Sequence, residues 1–123
     1  MIKNILLVGF GGGIGSIARY CCQKLVAVYN HSHFPWGTFA VNVVGCLLIG
    51  LFWGLSIKSF SDNETWKLLL MTGLCGGFTT FSAFTLEGIG LLRGNHTGLF
   101  FLYVGGSVIV GLLATFIGME ISR

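Results

Sequence analysis

The chain has 123 residues, of which seven are basic and four acidic (9% in all), while 54% are hydrophobic. Soluble domains carry about 25% charged residues, so this composition excludes a soluble fold with a covered surface and leaves an integral membrane protein. The net charge of +3, with no run of basic residues, excludes a nucleic-acid site.

At about 20 apolar residues per transmembrane helix, the length holds four spans and no separate soluble domain. The first is predicted over 4–28. Its start, Lys3 followed by ILLVGF, looks like a signal peptide, but the apolar run continues to about Tyr29 and reads as retained helix. Gly13-x-Gly15-x-x-Ala18 also fits a loose dinucleotide-binding fingerprint. That fold needs an acidic residue about 20 positions on, and the first acid is Asp62. Asn30-His31-Ser32-His33-Phe34-Pro35, ending in the only proline, marks a turn. A second span follows at 36–57, a third at 66–92 and a fourth at 98–121, with connections at 30–35, 58–65 and 93–97. Links this short predict sequential antiparallel packing, with both termini on one side.

Twenty glycines suit helices that meet in lipid, where apolar burial gives no preference for protein over lipid tails. Small-xxx-small spacing occurs as Gly9/Gly13, Gly11/Gly15, Gly50/Gly54 and Gly73/Gly77, which predicts tight packing. Cys21, Cys22, Cys46 and Cys75 lie in apolar stretches without a CxxC, and read as buried small hydrophobes rather than a zinc site or disulfide framework.

Polar groups within the spans are the candidate functional residues. Arg19, where a central arginine costs about 2.5–3.5 kcal/mol, is either a cation near a water-filled vestibule or a side chain that snorkels to the headgroups. Glu87 is the one acid well inside a span, either a proton or cation site or a vestibule residue. Asn42, mid-span, offers two donors suited to an anion, or an interhelical hydrogen bond. In the third span, adjacent glycines precede Thr79-Thr80 in GLCGGFTTFSAF, a combination that weakens a helix. Broken helices at membrane depth are tolerated where freed carbonyls face protein or bind ions. Phe81 and Phe84, three apart, share a face. Their rings either pack or present electropositive edges to a small anion.

GGGIGSIARY, GTFAVNVVG, GLCGGFTTFSAF followed by Glu87, and YVGGS make the chain similar to the Fluc fluoride-channel family of CrcB-like proteins over nearly its whole length. The resemblance implies an all-α, four-helix chain with the third helix broken near its centre, forming a dual-topology antiparallel homodimer. It implies two fluoride pores, one structural sodium held by backbone carbonyls, and no enzymatic activity. By motif, Gly76 and Thr79 fall at the sodium carbonyls, Phe81 and Phe84 at the pore phenylalanines, Asn42 at the pore asparagine and Arg19 at the first-helix arginine. Ser82, Thr38, Tyr103 and Ser107 match more loosely. Ala83 departs from the Thr or Ser that relatives often carry.

Charge placement agrees with dual topology. The side with the termini would carry Lys3, Lys58, Lys67 and Arg123, and the other Lys24 and Arg93, with Arg19 if it snorkels that way. Orientation follows Lys/Arg asymmetry, and near-balance permits insertion both ways up. The leading expectation is passive fluoride export across a bacterial inner membrane. A proton-coupled multidrug exporter would need an acid in the first helix, which has none. A non-transporting assembly subunit would leave Asn42 and TTFSAF without a role.

Overall fold

The computed structural model describes residues 1–58 and 64–123; among them there are helices and no strands. Helix α1 covers Ile2–Tyr29 and ends at Asn30, whose backbone is extended. The Asn30 side chain then folds the link, accepting from the Ser32 N–H at 3.1 Å and donating to the Phe34 carbonyl at 3.0 Å. This is the local bonding that makes asparagine a turn residue. Helix α2 covers Trp36–Lys58. The expected connection at 58–65 lies mostly on residues 59–63, outside the described residues.

The third span has three parts. Helix α3, residues 64–78, is α-helical at Glu64–Trp66, widens to π-helical turns over Lys67–Cys75 and tightens again at Gly76–Phe78. Thr79 (φ −88°, ψ 160°) and Thr80 (φ −149°, ψ 122°) are extended, and helix α4 follows at Phe81–Arg93. A tight turn at 94–96 places Asn95 at φ 64°, a left-handed position that asparagine tolerates. The His96 N–H closes the turn onto the Leu91 carbonyl at 2.8 Å. Helix α5 covers Thr97–Ser122. The spans Ile2–Tyr29, Trp36–Lys58, Glu64–Arg93 and Thr97–Ser122 are each long and apolar enough to cross a membrane.

Packing is pairwise: α1 lies on α3, and α2 on α5. Glycine makes both crossings possible. A Cβ on Gly15 would sit 2.8 Å from the Phe78 nitrogen, and one on Gly50 3.0 Å from the Met119 nitrogen. Gly11/Gly15 and Gly73/Gly77 thus face each other across α1 and α3. Gly9 and Gly13, expected to pack as well, meet nothing within 4 Å. They lie off the stripe that touches α3. Cys21 and Cys22 also depart from expectation. Both are exposed, because at this end of α1 the packed contacts are made by Arg19 and Gln23.

At one end of the bundle Phe34, Leu91 and Tyr103 form a buried cluster, with Phe39, Phe84, Leu99 and Phe100 packed against it. Phe34 meets Tyr103 edge-on at 5.4 Å between ring centroids. This cluster fixes α4 against α5 beside the extended pair.

Candidate functional site

Thr79 and Thr80 organise the site because the helix closes at the first and the backbone of the second bonds sideways. The Thr79 N–H and hydroxyl both donate to the Cys75 carbonyl at 3.0 Å, closing the end of α3. Thr80 pairs with Asn42 of α2. The Thr80 N–H donates to Asn42 Oδ1 at 2.7 Å, and Asn42 Nδ2 donates to the Thr80 carbonyl at 2.9 Å. The amide acts as one rung of a β-ladder, satisfying backbone groups that lipid would leave bare. Thr80 also caps α4: its Oγ1 accepts from the Ala83 N–H at 3.2 Å. Two threonines therefore end one helix and start the next.

Arg19 reaches this region rather than the headgroups. Its Nε donates to the Gly77 carbonyl at 3.2 Å, placing a cation at the carbonyl end of α3, where the helix dipole favours one.

A cavity of about 470 Å³ opens beside the extended pair and gathers Asn42, Gly76, Thr79, Phe81, Phe84 and Ser107. Its lining contains no Asp, Glu, Lys, Arg or His. The Phe81 and Phe84 rings lie 5.8 Å apart, tilted by 43°. Phe84 leans on Tyr103 at 5.0 Å, whereas Phe81 is exposed. The Ser107 Oγ is buried without a hydrogen-bond partner, beside a chamber whose other polar lining is Asn42, Thr72, Thr79 and Thr80. Asn42 keeps one amide hydrogen beyond its bond to Thr80.

The remaining candidates form a second group. Thr38 and Glu87 line a separate cavity of about 360 Å³ together with Gln23, Asn30, Ala83 and Leu86. Gln23 Nε2 donates to Thr38 Oγ1 at 3.0 Å. The fully buried Tyr103 donates its hydroxyl to Glu87 Oε1 at 3.4 Å. Tyr103 thereby touches one lining residue of each cavity, Phe84 with its ring and Glu87 with its hydroxyl. Ser82 is exposed, 3.5 Å from the Thr80 hydroxyl.

In the sequence Thr80 stands out only as a helix-weakening residue, and Gln23 does not stand out. Each left a signal: a threonine directly before a helical run is a favoured N-cap, and Gln23 follows Arg19 by one helical turn on the same face.

Four helical spans, each long and apolar enough to cross a membrane, define the class: a multi-pass α-helical membrane protein. The CrcB-like protein family (Camphor Resistance, CrcB) matches residues 6–119, and the chain belongs to it. A protein of Flavobacterium psychrophilum named fluoride-specific ion channel FluC is 45% identical over 122 residues, covering 99% of this chain and 98% of its own. Proteins of the same name from Phocaeicola vulgatus and Rhizobium johnstonii are each 44% identical, covering 99% and 100% of this chain and 100% and 98% of their own.

Proposed function

We propose that this chain is a fluoride-selective ion channel that releases fluoride passively across the bacterial inner membrane and so lowers its cellular concentration. It would act as an antiparallel homodimer inserted both ways up. The observation that carries the reading is the Phe81–Phe84–Ser107 chamber: a hydrogen-bond donor and two rings, with no charged side chain to trap an anion. Full-length relatives named fluoride-specific ion channels support the choice of ion.

Fluoride is small and holds its water tightly, so a pore must replace that water. Here the Ser107 hydroxyl, the free Asn42 amide hydrogen and the positive edges of Phe81 and Phe84 are the replacements. The N-terminus of α4 begins at the same cavity and adds the positive end of its dipole. Beyond Phe84, the Tyr103 hydroxyl, Thr38 and Glu87 continue a polar path, with Ser82 and Arg19 beside the extended pair. Weak, distributed donors favour passage over retention, as conduction requires.

A structural sodium fits the same region. Among the described residues no group of three or more His, Cys, Asp or Glu converges, so a hard cation would rely on oxygen from the backbone. Gly76 and Thr79 supply it at the carbonyl end of α3, where half-helix ends and unwound carbonyls suit such an ion. Gly76 is exposed, with nothing within 4 Å of where a Cβ would lie, which leaves room for a second copy. Bound sodium would neutralise crowded carbonyls between two copies.

The test is efflux from vesicles containing purified protein and loaded with potassium fluoride, with valinomycin present and no proton gradient. Fluoride release at these settings is the predicted result. Release only with an imposed proton gradient would favour an exporter, and no release an assembly subunit.

A further inference from the structure

A regular helix running through the third span would have no carbonyl to offer a cation. The N–H of Thr80 would close the Gly76 carbonyl four residues back, and that of Ala83 would close the Thr79 carbonyl. Neither N–H does so. The Thr80 N–H is held by Asn42 Oδ1 at 2.7 Å, and the Ala83 N–H by the Thr80 hydroxyl at 3.2 Å. Two side chains have each taken the donor that would have closed one of the two carbonyls assigned to sodium. Asn42 also donates to the Thr80 carbonyl at 2.9 Å, which pins that peptide in the extended orientation.

Three other carbonyls nearby are occupied. Cys75 accepts from Thr79, Gly77 from Arg19 and Thr80 from Asn42. The pattern of bonds therefore closes three of the backbone oxygens that flank Gly76 and Thr79.

We infer that Asn42 and the Thr80 hydroxyl are positioning residues for the cation site, opening the Gly76 and Thr79 carbonyls by diverting the N–H groups that would otherwise close them. The inference rests on the sodium reading proposed above. It assigns Asn42, which also borders the fluoride chamber, a second task that couples α2 to the cation. It gives Thr80 a role in sodium affinity. Binding sodium and passing fluoride would thus share one side chain without sharing one oxygen.

The test is the thermal unfolding midpoint of the purified full-length protein in detergent, titrated with sodium chloride against N-methylglucamine chloride at constant ionic strength. A ligand that binds the folded state alone raises the midpoint with its concentration. Wild-type protein is expected to show this rise. Thr80→Val keeps the shape and both Asn42 bonds but loses the hydroxyl, and should need at least about tenfold more sodium for the same rise, a loss of about 1.4 kcal/mol of binding. Thr80→Ser restores the hydroxyl and should restore the wild-type requirement. Asn42→Leu should show the larger loss. Thr80→Val that unfolds cooperatively with the wild-type sodium requirement would overturn the inference while leaving the sodium site standing. Wild-type protein without a sodium response would overturn the sodium reading and this inference with it.

Discussion

Phe81 is 76% exposed on the isolated chain, although Phe84, one turn later, is packed against Tyr103. An aromatic ring bare on one side and a buried, unpartnered Ser107 hydroxyl border the same chamber. That pairing makes Ser107 the most informative single donor. Ser107→Ala removes only the hydroxyl and leaves no buried group unpaired, so folding stability should change by less than about 0.5 kcal/mol. Fluoride efflux per assembled protein should fall by at least about tenfold, or about 1.4 kcal/mol of barrier. Electrode-recorded efflux beside a melting curve checks both. At this scale the sequence was informative about residue type and silent about partners. A mid-span asparagine had to bond to something, but only the three-dimensional arrangement supplies the Thr80 backbone as its partner.

At the scale of helices, the crossing of α1 and α3 depends on glycine faces. Gly15→Val places a branched side chain where a single Cβ would already lie 2.8 Å from the Phe78 nitrogen. The helices must separate, and the thermal midpoint should drop in keeping with a loss of about 1–3 kcal/mol. An unchanged midpoint would show that the contact is not tight. Four spans were legible because charge-free runs and one Asn-to-Pro turn mark them, and the observed ends lie within two residues of those read from the sequence. What each face does was less legible. Gly9/Gly13 and Gly11/Gly15 share one spacing, yet only the second pair meets α3, since helical phase decides the contact and spacing alone does not fix phase. Cys21 and Cys22 were misread for the same reason. The wide turns over Lys67–Cys75 had no sequence signal, because π-helical bonding comes from tertiary packing and not from residue preference.

The whole molecule presents long apolar helices whose outer faces are exposed, as expected of a chain solvated by lipid. Lys3, Lys58, Lys67 and Arg123 stand against Lys24 and Arg93, with Arg19 engaged internally at Gly77. That slight bias predicts insertion in both orientations. C-terminal reporters specific for each side of the membrane should both be active, and adding two lysines beside Lys3 should drive the chain to one orientation and reduce assembled dimer. A wild-type signal on one side alone would contradict dual insertion.

The central claim is that fluoride passes the chamber bordered by Phe81 and Phe84 and is stabilised by their ring edges. Fluoride efflux from the same vesicle preparation, compared at equal assembled protein for wild type, Phe81→Ile and Phe84→Ile, tests it most directly. Isoleucine retains apolar bulk, at a packing cost of about 1–3 kcal/mol, but has no electropositive edge. Wild-type protein should release fluoride without a proton gradient, and each folded variant at least about tenfold more slowly, about 1.4 kcal/mol of barrier. Wild-type rates in both variants would contradict it.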